Sequence, residues 1–153
     1  MTKQERYQAA LRELQLLFEP GHYSLDPIGK MATIATVLHR TFPDWLFVGF
    51  YRVAGDRRLI IGPYQGPVLA CGSIDFGRGV CGTAADREST LIVRDVTRFP
   101  GYIACDDETR SEIVVPVFEG DQLRAVLDVD GPGIGDFDSA DAAGLEPIAA
   151  LVY

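Results

Sequence analysis

Several kinds of segment are missing from this 153-residue sequence. No stretch comes near the ~18 consecutive apolar residues that a membrane-spanning helix needs. The first residues, Met1 to Gln8, are too polar for the apolar region of a signal peptide. We therefore expect a cytoplasmic protein. No repeat, linker or low-complexity tract divides the chain, so residues 1–153 are predicted to form a single domain.

Basic residues are few. The sequence has 14 Lys and Arg against 22 Asp and Glu, which gives a formal net charge of −8. Nucleic acids and anionic membranes are bound through clustered Lys and Arg, so neither is an expected partner. An acidic chain fits better a small substrate that carries a positive group or is a zwitterion.

Cysteine is also scarce, with only Cys71, Cys81 and Cys105. An odd number in a chain without a secretion signal does not indicate a disulfide framework. No two of the three form a CxxC pair, so no structural zinc site is predicted. The remaining interpretations are buried inert thiols or thiols with nucleophilic or redox chemistry.

The pattern of apolar residues predicts an α+β fold with an antiparallel sheet, because strands joined by hairpins stand between helices. Helical spacing covers 3–18 and 26–42, and short helices are predicted from Gly79 and from 138–139 onward. Strands are predicted over 46–53, 59–61, 91–93, 113–118 and 123–130, with a short extended piece around Ile74. The glycine-rich stretch 62–82 is otherwise predicted to be loop.

The last two strands form a predicted hairpin around Gly120-Asp121. Side chains alternate between the two faces of a strand, and the wholly apolar faces should match. This register requires an odd-length or bulged turn, and it places Glu112, Asp128 and Asp130 on one face. Three neighbouring acids repel, so at least one should hold a proton near neutral pH and could act as a general acid. The alternative is a solvated polar face near a strand end.

Each cysteine has a chemical and a structural interpretation. Cys105 lies seven residues before Glu112, but Asp106 and Asp107 oppose thiolate formation and neither His22 nor His39 is nearby in sequence. Cys81 stands where a helix begins, which favours a thiolate, although it could equally be a small packed residue. Cys71 lies in a glycine-flanked loop that would suit a resolving thiol.

Five motifs occur in an order that resembles a known family. They are GPYQG (62–66), GRGVCGTA (77–84), IACD (103–106), SEIV (111–114) and LDVD (127–130). Together they resemble free methionine-(R)-sulfoxide reductase, a stand-alone GAF-domain enzyme. The resemblance implies a GAF fold and reduction of free, not protein-bound, methionine R-sulfoxide, with electrons from thioredoxin and without a cofactor or metal. It also implies a homodimer.

The resemblance implies a role for each site residue. Cys105 would attack the substrate, Cys71 would resolve the product, and Cys81 would be an auxiliary thiol. Glu112 would be catalytic, and the substrate would contact Asp128, Asp130, Phe47 and Tyr64. Phe47 departs from the family, in which a Trp often packs on the methyl end of the substrate. Two non-catalytic readings stay open, a ligand-binding GAF sensor and a thiol redox sensor.

Overall fold

The computed structural model describes residues 1–21 and 25–153. In this part of the chain, helices flank and interrupt a set of antiparallel strands, as the sequence predicted. The elements are α1 (Lys3–Leu17), α2 (Pro27–Thr41), β1 (Phe47–Val53), β2 (Arg58–Gln65), β3 (Ser73–Asp75), α3 (Gly79–Arg87), β4 (Leu91–Val93), β5 (Ser111–Glu119), β6 (Gln122–Gly131) and α4 (Ser139–Ala149). No helix among the described residues has both the length and the apolar character needed to cross a bilayer.

The helix ends follow local side-chain chemistry. Thr2 and Glu5 form a reciprocal capping box at the start of α1. Asp26 caps α2, and Pro27 occupies its first position, where a missing N–H leaves no hydrogen bond unmade. Asp138 caps α4 by accepting from the backbone N–H groups of Ala140 and Asp141.

The six strands form one antiparallel sheet in the order β3-β2-β1-β6-β5-β4. One face packs against α2 and α4, with α1 packed on these two helices, and encloses an apolar core that includes Ile34, Leu38, Phe50, Leu127 and Leu145. The other face packs against α3 and the long loops. The acidic residues of the hairpin lie on this second face, so the core and the candidate site are on opposite sides of one sheet.

Strand β2 is longer than predicted. The prediction ended it at Ile61 and assigned residues 62–65 to a loop, whereas the strand continues to Gln65 and pairs Tyr64 with Gly49 of β1. A Cβ atom at Gly49 would lie 2.2 Å from the Cβ of Tyr64, so only glycine permits this approach. The loop prediction was wrong because it rested on the glycine and proline content of this stretch and did not consider its pairing with β1.

The predicted register of the β5–β6 hairpin is confirmed. Glu112 pairs with Asp130 and Val114 with Asp128, and the even register is restored by a bulge beside a two-residue Gly120-Asp121 connection. The bulge leaves Arg124 unpaired between Ala125 and Leu123. It also moves Leu123 to the α3 face, whereas simple alternation had placed it on the core face.

Candidate active site

Three carboxyl groups converge on the α3 face of the sheet. Glu112 is directly opposite Asp130 across the β5–β6 ladder, and Asp128 is opposite Val114, one diagonal step away. Glu112 is 5% exposed and Asp128 4% exposed, while Asp130 is partly exposed. Alternation along two paired strands therefore brings together all three acids that the sequence grouped.

Burial raises the pKa of all three carboxyl groups, though not equally. Burial, with a smaller effect from the charges of Asp128 and Asp130, raises the pKa of Glu112 well above its usual value. The pKa of Asp130 is raised in the same direction by burial and by Asp128. Burial raises the pKa of Asp128 to about 6, so this group ionises readily at neutral pH. The cluster thus combines an ionised carboxylate with carboxyl groups that retain a proton.

The cluster has unfilled hydrogen-bonding capacity. Oδ1 of Asp128 and Oδ1 of Asp130 are buried and accept no hydrogen bond from any described residue. Buried oxygens of this kind are normally satisfied, so the cluster has the capacity to accept hydrogen bonds from a bound donor. An ammonium group supplies both the donors and the compensating charge.

Cys81 faces the same cluster. It is the third residue of α3, is almost fully buried, and donates through Sγ to Oε1 of Glu112 at 3.8 Å. Burial first, and then Asp128 and Glu112, raise the pKa of the Cys81 thiol well above its usual value. The expectation that the helix N-terminus would favour a thiolate here is wrong, because burial beside acids outweighs the helix dipole.

Cys81, Glu112 and Asp128 place potential ligand atoms within 4.8 Å of one another. A metal ion would need the thiol to lose its proton, which burial opposes. An ammonium group needs only hydrogen-bond acceptors, so this donor set fits a cationic amine better than a metal.

Cys71 and Cys105 are joined in a disulfide, with their Cα atoms 5.3 Å apart. Cys71 comes from the segment between β2 and β3 and is partly buried, while Cys105 is exposed in the loop before β5. This is the pairing that the family resemblance implied. Its presence requires both loops to lie over the same end of the sheet.

The loop that carries Cys105 is fixed by Asp106. Its Oδ1 accepts the backbone N–H groups of Glu108 at 2.7 Å and of Thr109 at 2.8 Å, and its Oδ2 accepts the Thr109 hydroxyl at 2.9 Å. These bonds engage the carboxylate that the sequence placed beside the thiol. Asp106 therefore shapes the turn that holds Cys105 over the cavity.

One cavity connects the cysteines with the acids. Its walls combine the acidic cluster with Cys81 and Cys105 and with apolar and aromatic side chains. These include Phe47, Tyr51, Leu69, Ala70, Ile74, Val80, Tyr102 and Ile103. Cys105 is at its mouth and the carboxyl groups are at its floor, so one cavity links the disulfide with the acidic cluster.

Phe47 and Tyr64 take different positions. Phe47 is 2% exposed, lines the cavity and stacks on Tyr51 with ring centroids 6.1 Å apart. Tyr64 does not line the cavity and instead stacks on Phe47 at 5.1 Å, so it supports the ring that faces the interior.

Sequence reasoning missed Tyr51 and Tyr102. Tyr51 could have been predicted from the sequence. Phe47, Gly49 and Tyr51 are alternate residues of β1 and lie on the same face of the sheet as Asp128 and Asp130. Tyr102 lies in a loop without periodicity, so the sequence carried no signal for it. Of the histidines, His39 lies on α2 against the opposite face, and His22 lies outside the described residues.

The chain is similar to known proteins in sequence and in fold. The family model described as GAF domain matches residues 31–152. The chain is 37% identical to free methionine-R-sulfoxide reductase of Escherichia coli, covering 98% of this chain and 88% of that protein. It is 48% identical to the yeast protein of the same name from Saccharomyces cerevisiae, covering 71% of this chain and 62% of the yeast protein.

A solved structure is similar over almost the whole chain. The free methionine-R-sulfoxide reductase of Neisseria meningitidis, determined in complex with its substrate, has a TM-score of 0.92 and 38% sequence identity. The match covers 99% of this chain and 89% of that one.

Proposed function

Since the chain belongs to the free methionine-R-sulfoxide reductase family of GAF-domain proteins, we propose that it reduces free methionine (R)-sulfoxide to methionine. The observation that carries this proposal is a cavity with a disulfide-forming cysteine at its mouth and a buried carboxyl cluster at its floor. A free amino acid carries both a sulfoxide for the cysteine and an ammonium group for the acids, and it is small enough to reach both at once.

Substrate binding is assigned to Asp128 and Asp130. Their unpartnered buried oxygens accept hydrogen bonds from the ammonium group, whose charge also compensates the ionised Asp128. Phe47, backed by Tyr64 and Tyr51, offers an apolar surface to the methyl end of the side chain. A methionine sulfoxide within a peptide has no ammonium group at this position, so the preference for the free amino acid follows.

Glu112 is assigned as the proton donor. A carboxyl group that stays protonated near neutral pH can donate to the sulfoxide oxygen as it gains charge. Cys81 donates to Glu112 and stays a neutral thiol, so it is assigned a supporting rather than a nucleophilic role.

Cys105 is assigned as the nucleophile. Its thiolate attacks the sulfoxide sulfur, the S–O bond breaks, and the oxygen ends on Cys105 as a sulfenic acid after one proton is taken up. Methionine, reduced by two electrons, leaves. The Cys71 thiol then attacks the sulfenic sulfur, releases water and forms the Cys71–Cys105 disulfide.

Regeneration is assigned to thioredoxin, which would reduce this disulfide in the cytoplasm. A disulfide in a reducing compartment is typically transient and catalytic. The family also suggests a homodimer, which the molar mass in solution tests.

The test follows methionine release from the protein with dithiothreitol as reductant. We expect turnover of free methionine (R)-sulfoxide, little from the (S) epimer, and roughly 30- to 100-fold lower kcat/KM for N-acetylmethionine (R)-sulfoxide, which lacks the ammonium group. Glu112→Gln should lower kcat by about 10²-fold, because the amide cannot deliver a proton.

A thiol redox sensor is the second candidate, because Cys105 is exposed and already paired with Cys71. A sensor would form the disulfide with peroxide and release no methionine from the sulfoxide. A ligand-binding module would bind methionine sulfoxide and return it unchanged.

A further inference from the structure

Leu69 stands out on the surface beside the disulfide. It is 76% exposed, a value exceeded among the large apolar side chains of the described residues only by Met1. It lies two positions before Cys71, at the mouth of the cavity. A single exposed leucine needs no explanation by itself. Leu69, however, lies beside the disulfide, which a protein reductant has to contact, and this position suggests a function for its exposure.

Reduction of the disulfide fixes where a protein reductant must sit. Its attacking sulfur has to bond to Cys71 or to Cys105, so its surface covers the few ångströms around both. The two Cα atoms are 5.3 Å apart. The Cα of Leu69 is at most about 7 Å from that of Cys71, since each residue extends the chain by no more than 3.6 Å. Leu69 therefore lies under the reductant whichever sulfur is attacked.

The surroundings of the disulfide are asymmetric. The Cys105 side carries the exposed acids Asp107 and Glu108, which remain hydrated. The Cys71 side carries Leu69, Ala70 and Gly72, which have no charge. Desolvation on docking is favourable for the apolar side and unfavourable for the acidic one. The apolar side is thus the side that a partner can cover without penalty.

We propose that Leu69 is a docking contact for the protein dithiol that reduces the Cys71–Cys105 disulfide, a thioredoxin-type protein with an apolar surface around its reactive thiol. This inference rests on the proposed regeneration by thioredoxin and adds the residue that distinguishes a protein reductant from a small one.

The chemistry of the step is thiol–disulfide exchange. A reductant thiolate attacks one sulfur of the pair, a mixed disulfide forms, and the other sulfur leaves as a thiolate that takes up a proton. The second reductant thiol, as its thiolate, then attacks the mixed disulfide and releases the remaining cysteine. Two electrons and two protons reach this protein, and the reductant ends as a disulfide.

The test compares two reductants on the oxidised protein without substrate. The second-order rate constant for reduction by thioredoxin is measured beside that for dithiothreitol, by counting thiols over time. Leu69→Ser should lower the thioredoxin rate constant about ten-fold, as expected for loss of one buried leucine contact, and leave the dithiothreitol rate constant unchanged. Leu69→Met should restore most of the thioredoxin rate.

Leu16→Ser is the matched control, since Leu16 is 61% exposed on α1 and far in sequence from both cysteines. It should change neither rate constant. An unchanged thioredoxin rate in Leu69→Ser, or equal slowing with both reductants, would overturn the inference. If thioredoxin fails to reduce the wild-type disulfide while dithiothreitol succeeds, the proposed regeneration itself is wrong. Methionine release with dithiothreitol would still test the rest of the proposed function.

Discussion

The three cysteines differ in exposure, and exposure separates their chemistry. Cys105 is exposed, Cys71 is partly buried, and Cys81 is enclosed between α3 and the acidic cluster. Only Cys71 and Cys105 are joined in a disulfide. The buried thiol has no route to a partner without movement of α3, so we assign it no redox step.

Single-turnover chemistry separates the two reactive cysteines. Cys105→Ser should release no methionine, because the attacking thiolate is gone. Cys71→Ser should release one methionine per chain and then stop as a sulfenic acid, which dimedone labelling followed by mass spectrometry detects. Loss of that first methionine in Cys71→Ser would contradict the assigned roles.

The pH profile of kcat/KM reports the carboxyl groups of the free enzyme. In the proposed mechanism Asp128, with a pKa of about 6, binds the ammonium group as a carboxylate, so kcat/KM should fall as the pH drops below about 6. Glu112 must keep its proton, so activity should fall again at high pH. Steady-state rates from pH 5 to 10 test both limbs. Asp128→Asn should remove the acid limb, and an acid limb unchanged in that variant would show that another group causes it.

Residue identity at the site was predictable where a strand supplies periodicity. Glu112, Asp128 and Asp130 follow from alternation and register alone. The same reasoning applied to β1 would have found Tyr51. Leu69 and Tyr102 lie in loops, whose side-chain directions no spacing rule predicts, and the burial that keeps Cys81 protonated depends on how α3 is placed.

Among the elements, α3 is placed by a glycine. A Cβ on Gly82 would lie 2.3 Å from the carbonyl oxygen of Asp75, so α3 contacts the end of β3 at a distance that no larger residue allows. The adjacent Cys81 therefore owes its position in the cavity wall to Gly82. The sequence indicated a helix near Gly79 but not this contact, because it joins two elements.

Gly82→Ala should destabilise the fold by about 1–3 kcal/mol through overpacking against backbone. It should also lower kcat/KM, since Cys81 and the cavity wall shift with the helix. Gly29→Ala is the control, because Gly29 is also helical but its nearest neighbour is the end of the Leu25 side chain, at 3.1 Å. Chemical denaturation of both variants tests this. Equal effects in the two would mean that helix propensity, not the β3 contact, decides the outcome.

A single β-bulge sets the register of the β5–β6 hairpin. Matching apolar faces predicted a bulged or odd-length turn, and the bulge near Arg124 is what brings Glu112 opposite Asp130. Without it, a one-residue slip of β6 would move Asp128 and Asp130 to the core face. The sequence predicted correctly which face of the sheet carries the acids, because six apolar residues of the hairpin define the opposite face. The face on which Leu123 lies depends on the position of the bulge, which the sequence did not indicate.

At the scale of the whole molecule, the sheet separates stability from chemistry. Asp128 and Asp141 are both carboxyl groups with less than 5% exposure, but they lie on opposite faces. Oδ2 of Asp141 accepts a hydrogen bond from Lys3 Nζ at 2.7 Å, and Oδ1 accepts one from the Tyr7 hydroxyl at 2.7 Å. Asp128 has an unpartnered oxygen and a raised pKa. The Asp141 carboxylate is thus satisfied within the fold, whereas Asp128 keeps an oxygen that can accept a hydrogen bond from a ligand.

Asp128→Asn and Asp141→Asn should therefore have opposite effects on the free energy of unfolding. The unfolded chain ionises Asp128 at lower pH than the folded one, so the free energy of unfolding falls as the pH rises from about 4 to 6. Asp128→Asn should remove this loss and stabilise the protein by about 1–3 kcal/mol at pH 8, with the gain shrinking toward pH 4. Asp141→Asn should destabilise it by about 1–3 kcal/mol. Thermal unfolding across this pH range measures both, and a loss of stability in Asp128→Asn at pH 8 would contradict the account.

The α+β architecture, the antiparallel sheet and most element positions were predictable from apolar spacing and capping residues. The extension of β2 to Gln65 and the closeness of Cys71 to Cys105 were not, because both depend on contacts between distant segments. The family resemblance supplied that pairing, which the residues alone left open.

A single-turnover experiment on the reduced protein, without any added reductant, tests the proposed reductase activity and the cysteine assignments together. The protein is mixed with an equimolar amount of free methionine (R)-sulfoxide, and methionine and the Cys71–Cys105 disulfide are quantified together. Methionine and the disulfide should form in a one-to-one ratio, approaching one of each per chain. A disulfide without methionine, or bound sulfoxide recovered unchanged, would contradict this prediction.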